Sequence, residues 1–283
     1  MKKILGIIGS PRQLGNSEIM VKEISRHISI PHELSLLRLS DFNILPCRGC
    51  YHCLFKSKYC VMEDDFNTIL HAVTGADALI VSAPTYFLGI NASVKRLLDR
   101  GLAFYSHFDK LWNKPALGVV ITGIRGKEGY SLLAMQSFLK LIFSEVKNCR
   151  VIYGALPGEI FINKENKQAA KQLARDLFNP PSEKKAPCCP QCGGDTFRFI
   201  NSKKVRCMLC SNDGEISLQN NDLTFSIKKS NHEFFLTKED AMNHRDWLLD
   251  MKTRFIRQKK ALKEITFPYI KQGKWIKPKS DPD

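Results

Sequence analysis

The sequence predicts an α/β fold built on a parallel sheet, with a smaller cysteine-containing unit behind it. Within residues 1–180, short apolar runs alternate five times with segments of helical periodicity. Apolar strands joined by helices of this length are typical of a parallel sheet that is covered on both faces. Two groups of cysteines, one inside this region and one beyond residue 187, are spaced like metal ligands. Open parallel sheets bind ligands at the carboxyl ends of their strands, so we expect the chemistry there.

The predicted elements follow one another from the first residues. A buried strand over 3–8 leads through a turn-rich loop into a helix that begins near Ser17. A second strand over 33–39 and a cysteine-containing loop over 40–62 precede a helix that begins at Asp64, since acidic residues suit a helix N-terminus. The other strands are expected at 78–83, 116–122 and 151–153, and the other helices at 91–104, 130–146 and 165–178.

The composition favours a cytoplasmic protein with metal-bound thiolates. The 283 residues, 43% of them hydrophobic, suffice for one domain of ordinary size and a smaller one. The apolar stretch at the N-terminus is too short for a signal peptide, and no apolar run is long enough to span a membrane. Eight of the ten cysteines fall into two metal-type groups. Of the others, Cys149 is expected to be a buried small hydrophobe, and Cys188 is a spare thiol or an alternative ligand.

Four cysteines lie within fourteen residues of the predicted loop over 40–62. Their spacing is C-x2-C-x2-C-x6-C, formed by Cys47, Cys50, Cys53 and Cys60. Four thiols so close together cannot all pair comfortably as disulfides, whereas short knuckles let successive thiolates surround one compact inorganic core. The spacing therefore favours an iron–sulfur cluster with four thiolate ligands. A zinc site and a redox-sensitive loop are the alternatives.

Three loops that follow predicted strands favour a flavin mononucleotide (FMN) site. The loop from Gly9 to Ser17 joins a strand to a helix, whose unpaired N–H groups favour an anion such as a terminal phosphate. A plain strand–helix turn with Ser17 as N-cap is the alternative. The candidate phosphate ligands are Ser10, Arg12, Asn16 and Ser17. The candidate ring contacts are Pro84, Thr85, Tyr86, Phe87, Thr122 and Gly123.

A linker over 181–187, rich in proline and charge, separates residues 1–180 from a second unit. Two C-x2-C knuckles predict a zinc-ribbon-like domain over 188–236, in which Zn²⁺ is held by Cys189, Cys192, Cys207 and Cys210. Rubredoxin-like iron is the alternative, because iron held by four thiolates carries single electrons and zinc does not. Residues 237–283 are expected to form an amphipathic basic helix and tail, with ten basic residues and one acidic residue in 252–279. Such a surface suits nucleic acid, anionic small molecules or an acidic protein such as a ferredoxin, and a solvated basic helix without a partner is the alternative.

The N-terminal 180 residues resemble the NAD(P)H-dependent FMN reductase-like branch of the flavodoxin-like fold. The matching stretches are the loop from Gly9 to Ser17, the loop from Pro84 to Tyr86 and the segment 95–100. Within that branch, the four-cysteine loop followed by Asp64 and Asp65 is similar to the iron–sulfur flavoproteins of anaerobic microbes.

The resemblance implies more than the residue pattern does. It implies a flavodoxin-like sheet of five parallel strands in the order 2-1-3-4-5, and FMN phosphate bound at the four ligands named above. It also implies a [4Fe–4S] cluster on the four cysteines of the loop, and ferredoxin-linked electron transfer. The family forms homo-oligomers, here a dimer or a tetramer, in which the cluster lies near the flavin of a neighbouring subunit.

Three functions are compatible with these patterns. The first is an iron–sulfur flavoprotein, an FMN-dependent oxidoreductase that moves electrons between a ferredoxin-like donor and an unknown acceptor. The second is an NAD(P)H-dependent FMN or quinone reductase in which the cysteine loop is structural. The third is a redox-sensing nucleic-acid-binding protein that uses the ribbon and the basic tail. The basic segment has few aromatic residues placed for base stacking, so nucleic acid is not favoured as a partner.

Overall fold

A parallel sheet forms the centre of the N-terminal part of the molecule. The computed structural model describes residues 1–180, 187–219 and 222–276. The sheet has the order β2-β1-β3-β5-β6, and a two-residue strand, β4 (Gly89–Ile90), pairs antiparallel with the end of β3. Since β4 is only a hairpin addition, the predicted parallel order 2-1-3-4-5 is confirmed. The five parallel strands are β1 (Lys2–Ile8), β2 (His32–Arg38), β3 (Ala78–Tyr86), β5 (Lys114–Thr122) and β6 (Ser144–Tyr153).

Helices cover both faces of this sheet and divide its core in two. Ile4 and Ile8 of β1 pack on one face, and Leu5 and Ile7 pack on the other, because successive side chains of a strand point to opposite sides. The face of Ile4 is covered by α1 (Asn16–Arg26) and α7 (Lys164–Asp176). The other face is covered by α2 (Phe66–Gly75), α3 (Ala92–Asp99), α4 (Leu102–Tyr105), α5 (Phe108–Leu111) and α6 (Ser131–Leu141).

Two predicted helix bounds are wrong. The helix expected over 91–104 ends at Asp99, and α4 begins only after a turn in which Gly101 N donates to Leu98 O at 2.8 Å. The helix expected over 130–146 ends at Leu141, and the strand expected over 151–153 already begins at Ser144. Phe143 turns the chain with a φ of 65°. The apolar residues around it fit either periodicity, so the sequence pattern alone does not place this boundary.

The C-terminal part is a small antiparallel sheet followed by a long helix. Its strands are β7 (Phe197–Phe199), β8 (Lys204–Cys207), β9 (Asp213–Gln219) and β10 (Asp222–Ile227), in the order β10-β9-β8-β7. The helix α8 (Lys238–Thr266) begins with a capping box between Thr237 and Asp240. Apart from Pro187, the expected linker lies outside the described residues, as does the tail beyond 276. No helix among the described residues has the length and apolarity to cross a bilayer.

Only the first half of α8 joins the core of the N-terminal part. Ala241 and Leu248 are buried in the same cluster as residues of α2, α3 and α6. Phe255, Leu262 and Ile265, apolar residues in the second half of the same helix, are exposed. The long helix therefore connects the small sheet to the face of the large sheet that carries the cysteine loop.

Candidate functional site

A cavity of about 210 Å³ opens at the carboxyl ends of the central strands. Eight of the ten residues proposed for FMN line it: Ser10, Arg12, Asn16, Ser17, Pro84, Thr85, Tyr86 and Gly123. The remaining lining residues are Gly15, Ile121, Gly154, Ala155 and Pro157. Three of these form the loop after β6, which the sequence reading left out, although the rule that ligands bind beyond strand ends applies to β6 as well.

The N-terminus of α1 points its first N–H groups towards this cavity. The N-cap is Gly15, which has no side chain to satisfy them, and Ser17 lies inside the helix. The prediction of Ser17 as N-cap is therefore wrong, since Gly15 occupies that position. Ser10 and Ser17 are buried while Arg12 is exposed, so two hydroxyls and an exposed cation lie at a helix end that no side chain caps. This donor set fits a phosphate monoester such as that of FMN.

An acidic residue, Glu18, lies in the first turn of the same helix and is neutralised. Its carboxylate accepts hydrogen bonds from Lys22 Nζ at 2.6 Å, Arg38 Nη2 at 2.7 Å and Leu14 N at 2.9 Å. Burial alone would raise the pKa of Glu18, but these hydrogen bonds lower it to about 2. Lys22 and Arg38 thus balance the charge of this carboxylate. The positive charge of Arg12 remains suitable for an anion.

The side chain of Asn16 is already engaged within the protein. Its Nδ2 donates to Gly154 O at 3.1 Å and to Leu156 O at 3.0 Å, and its Oδ1 accepts from Gly158 N at 2.9 Å. Asn16 therefore holds the loop after β6 against the start of α1. Its own contribution to an anion would come from the backbone N–H.

Two of the proposed ring contacts lie outside the cavity lining. Thr122 is 3% exposed and its Oγ1 lies 2.8 Å from Thr85 Oγ1, which also donates to Ser131 Oγ at 3.0 Å. Thr122 and Ser131 thus position the Thr85 side chain through hydrogen bonds. Ser131 was not among the residues predicted from the sequence. Phe87 is fully exposed, in a turn where it and Leu88 have φ values of 49° and 65°.

The four cysteines of the loop over 47–60 lie near one another but do not form a tight group. Cys47 and Cys50 are exposed, Cys60 is partly buried and Cys53 is buried, and none is in a disulfide. Burial raises the pKa of Cys53 to about 11, and the neighbouring thiols of Cys60, Cys47 and Cys50 add to the rise. Gly49 N donates to Cys47 Sγ at 3.4 Å, as backbone N–H groups do around thiolate-bound metals.

Polar side chains fix the backbone of this loop. Asn67 clamps Cys60 from both sides, accepting from Cys60 N at 2.9 Å and donating to Cys60 O at 2.7 Å. Ser106 Oγ donates to Cys53 O at 2.7 Å, and His107 Nε2 lies 3.0 Å from Lys58 O. The loop backbone is therefore held by α2 and by the segment after α3, which sequence reasoning did not connect with the loop.

A buried ion pair closes the base of the loop. Arg100 Nη1 lies 2.5 Å from Asp64 Oδ2, with both side chains no more than 1% exposed, and also donates to Leu45 O at 2.7 Å. Asp64 accepts in turn from Leu45 N at 2.9 Å and Phe66 N at 3.1 Å. Burial would raise the pKa of Asp64, yet the hydrogen bonds from Arg100 and from these N–H groups lower it. The two ends of the loop are thus joined through one carboxylate.

The C-terminal cysteines form a compact group. The sulfur atoms of Cys189, Cys192, Cys207 and Cys210 lie within 4.8 Å of one another, the only such group of metal-type ligands among the described residues. The distance is 3.8 Å between Cys189 and Cys210 and 3.5 Å between Cys192 and Cys207. Four thiolates bonded at about 2.3 Å to one tetrahedral ion lie about 3.8 Å apart. The group therefore fits a single metal ion. Cys188 lies outside the group, and Cys149 is partly buried against the large core.

Comparison with known proteins relates these sites to two kinds of flavoprotein. Residues 2–151 match the family model described as NADPH-dependent FMN reductase. An iron–sulfur flavoprotein of Archaeoglobus fulgidus is 31% identical over 176 residues, which are 62% of this chain and 78% of that protein. An iron–sulfur flavoprotein of Methanocaldococcus jannaschii is 38% identical over 99 residues, which are 35% of this chain and 51% of that protein.

One solved structure shares the fold along nearly the whole chain. It is a flavone reductase, which superposes with a TM-score of 0.71 and covers 97% of this chain and 100% of its own at 17% identity. The shared fold therefore includes the small antiparallel sheet and the long terminal helix.

Proposed function

Because the chain belongs to the NADPH-dependent FMN reductase family, we propose that its cysteine loop and its flavin cavity form one electron-transfer system. The protein is an FMN-dependent oxidoreductase of the iron–sulfur flavoprotein type. In the proposal a ferredoxin-like carrier supplies the electrons, and their acceptor is a molecule not yet assigned. When bound, the cluster supplies one-electron transfer and FMN supplies one- or two-electron chemistry.

One observation carries the proposal: the cysteine loop is rigidly braced while its thiols stay open. Asn67, Ser106 and the pair of Asp64 with Arg100 hold the loop backbone. No disulfide consumes the thiols, and two of them are exposed. A loop whose backbone is held by hydrogen bonds while its thiols remain unpaired is suited to binding an inorganic core between the four cysteines. We assign a [4Fe–4S] cluster to Cys47, Cys50, Cys53 and Cys60.

The residues of the flavin cavity take separate roles in this proposal. Ser10, Arg12, Ser17 and the first N–H groups of α1 bind the phosphate. Pro84, Thr85, Tyr86 and Gly123 border the ring, since they line the same cavity beyond β3 and β5. Asn16 and Thr122 act as positioning residues, because their side chains contact the protein. Phe87 belongs to the rim.

The two sites are proposed to meet between subunits of a homo-oligomer. Among the described residues, none that lines the flavin cavity comes from the loop over 47–60. Large apolar side chains around the cavity are exposed, which is typical of a surface that another protein covers. These exposed residues are Leu14, Phe87, Leu88, Ile124, Tyr130 and Leu156. A second copy on this rim would exclude water from the flavin and bring a cluster to it.

The C-terminal cysteine group is proposed to hold structural Zn²⁺. The sulfur distances of 3.5 and 3.8 Å support a single ion, and four thiolates are a common zinc ligand set. Rubredoxin-like iron would have the same ligands, so metal analysis must decide between them. One zinc and no iron per chain are expected in the variant that lacks the loop cluster, whereas a rubredoxin-like site would retain one iron there.

Anaerobic purification followed by iron, acid-labile sulfide, zinc and flavin analysis tests the proposal as a whole. About four irons and one FMN per chain are expected, with an EPR signal of a reduced cluster. Cys50→Ala should abolish the signal and leave FMN bound, because Cys50 lies outside the flavin cavity. Cys149→Ala, which alters a thiol outside both cysteine groups, is the matched control. Absence of iron and sulfide from anaerobically reconstituted protein would refute the cluster.

The rate of NADPH oxidation distinguishes the proposed function from that of an NADPH-dependent reductase in which the cysteine loop is only structural. If NADPH reduces the bound FMN equally fast in Cys50→Ala and in the unaltered protein, the loop is not needed for that path. Electron delivery from a reduced ferredoxin should nevertheless fail in Cys50→Ala. Unimpaired delivery from ferredoxin in this variant would contradict the proposed route.

A further inference from the structure

A second cavity, of about 570 Å³, lies between the cysteine loop and α8. Its size falls within the range of about 300–1,000 Å³ that is usual for small-molecule sites. It shares no lining residue with the flavin cavity. One wall comes from the cysteine loop, through Gly49, Cys50, Tyr51, His52, Phe55 and Lys56. The other wall comes from α8, through Met251, Lys252 and Phe255.

Both walls are fixed to the core of the molecule. In the loop, Cys53 is buried directly beside the lining residues, and its carbonyl accepts from Ser106. In α8, Leu248 is 7% exposed and lies one turn before Met251 and Lys252, and the helix start is secured by its capping box at Thr237. A cavity whose walls are anchored in this way is preformed, as ligand sites usually are.

The walls offer flat apolar surfaces. The rings of Tyr51 and Phe55 lie 6.1 Å apart at 39°, and Phe55 and Phe255 expose 37% and 56% of their surface. Met251 adds a polarisable apolar side chain. Aromatic and thioether groups that face a cavity from two sides suit a planar aromatic ligand.

The polar lining of this cavity includes two ammonium groups, those of Lys56 and Lys252, together with the side chains of Tyr51 and His52. Lys252 Nζ lies 5.8 Å from the centre of the Phe55 ring, and Lys56 lines the same space. None of the nine lining residues is acidic. Ammonium groups beside aromatic walls favour oxygen acceptors on the edge of a flat ligand. They also favour any negative charge that such an oxygen gains.

We propose that this cavity is a binding site for a planar aromatic carbonyl compound of the quinone type. Its rings lie between Phe55 and Phe255, and its oxygens accept from Lys252 and Lys56. The inference deepens the proposed function, on which it rests in one respect: Cys50, which lines the cavity, is a cluster ligand there. The compound would then take two electrons from the ferredoxin-like carrier, passed singly through the cluster, and two protons from water, and its two carbonyl oxygens would become hydroxyls. Binding itself depends only on the cavity walls.

Calorimetric titration of the oxidised full-length protein under anaerobic conditions tests the site. The probe is anthraquinone-2-sulfonate, and anthracene-2-sulfonate is the matched compound without carbonyl oxygens. Phe255→Ala should weaken binding of the first about tenfold, and Lys252→Met should do the same. Lys252→Met should change the affinity for the second less than about twofold. Phe267→Ala and Lys263→Met, exposed residues outside this cavity, are the control variants and should bind like the unaltered protein.

Three results would overturn the inference. One is the absence of saturable binding. Another is equal affinity in Phe255→Ala, Lys252→Met and the controls. The third is equal weakening of both probes by Lys252→Met, which would assign the lysine to the sulfonate. Iron and flavin are measured in the same samples. Binding without iron would refute the cluster alone, and iron without binding would refute this site alone.

Discussion

The molecule contains two four-cysteine regions that are organised in opposite ways. In the C-terminal group all four sulfurs lie within 4.8 Å of one another, and three of the four cysteines are buried in the apolar cluster of the small sheet. In the loop over 47–60 the sulfurs do not gather to this extent, but the backbone is clamped by Asn67, Ser106 and Arg100. In the C-terminal group the sulfur atoms themselves lie close together. In the loop the side chains that hydrogen-bond the backbone are the organised part.

This difference follows from the size of the group that each region would hold. A single ion requires sulfurs about 3.8 Å apart, and the ion itself contributes to the folding of a small sheet. A multi-iron core is larger, so its thiolates stand apart and their backbone needs other support. Although both regions contain four cysteines, we therefore expect substitutions in them to differ in their effects on stability and metal content.

The largest effect is expected from removing a ligand of the C-terminal group. Cys192→Ser should cost the small sheet most of its metal-binding free energy, which is on the order of 10 kcal/mol for structural zinc. We expect amides of β7 to β10 to lose protection in hydrogen exchange while those of β1, β3 and β5 keep it. Cys188→Ser, next to the group but outside it, is the control. Full protection of β7 to β10 in Cys192→Ser would show that this sheet does not depend on its metal.

The second effect concerns the base of the cysteine loop. Arg100→Met leaves the Asp64 carboxylate buried without its cation, which should lower the free energy of unfolding by about 3–5 kcal/mol. Iron should be lost as well, while zinc content stays unchanged. Both quantities are read from urea unfolding and metal analysis of the same preparation.

Lys95→Met provides the matched control on α3. It removes an exposed ion pair with Asp99, which is worth about 0–1 kcal/mol. Retention of iron in Arg100→Met at the level of this control would contradict the role of Arg100 as the support of the loop.

The smallest effect, about 1 kcal/mol, is expected from a pair of glycine substitutions. Gly49 and Gly193 have φ values of 61° and 72°, and a Cβ would meet nothing within 4 Å at either position. Alanine there introduces backbone strain alone. Gly49→Ala should lower iron occupancy and Gly193→Ala zinc occupancy, each without affecting the other metal. Gly75→Ala, at an equally open position without a positive φ, should leave both unchanged, and a crossed effect would contradict the independence of the two regions.

The sequence pattern predicted the alternation of strands and helices and the spacing of both cysteine groups because these rest on local signals, whereas the sheet order was implied by the family resemblance. Apolar runs identify the strands, and short cysteine spacings identify ligands. The break after Asp99 and the early start of β6 escaped it, since the apolar residues around Gly101 and Phe143 continue a helical pattern that only tertiary packing interrupts. The exposure of the second half of α8 was not predicted for the same reason. A sequence pattern identifies the apolar side of a helix but not the surface that packs against it.

The candidate sites show the same division between local and distant contacts. The loop from Gly9 to Ser17 was predicted to bind an anion, but the sequence could not show that the Asn16 side-chain amide donates to the segment after β6, more than 130 residues away. Thr122 was predicted to contact the ring, and the sequence could not show that its hydroxyl contacts Thr85. The sequence allowed predictions for residues whose role depends on their position in one loop. It did not allow predictions of contacts between loops that are distant in the chain.

Arg100 has a consequence for the order in which this protein is assembled. It contacts Asp64, 36 residues earlier, and Leu45, 55 residues earlier, so the base of the cysteine loop closes only after α3 has been synthesised and has docked. A growing chain presents all four loop thiols before it contains the residue that seats them. We therefore expect iron to be delivered to the folded sheet after translation, and the loop transplanted into another flavodoxin-like protein to require an arginine at the end of its third helix.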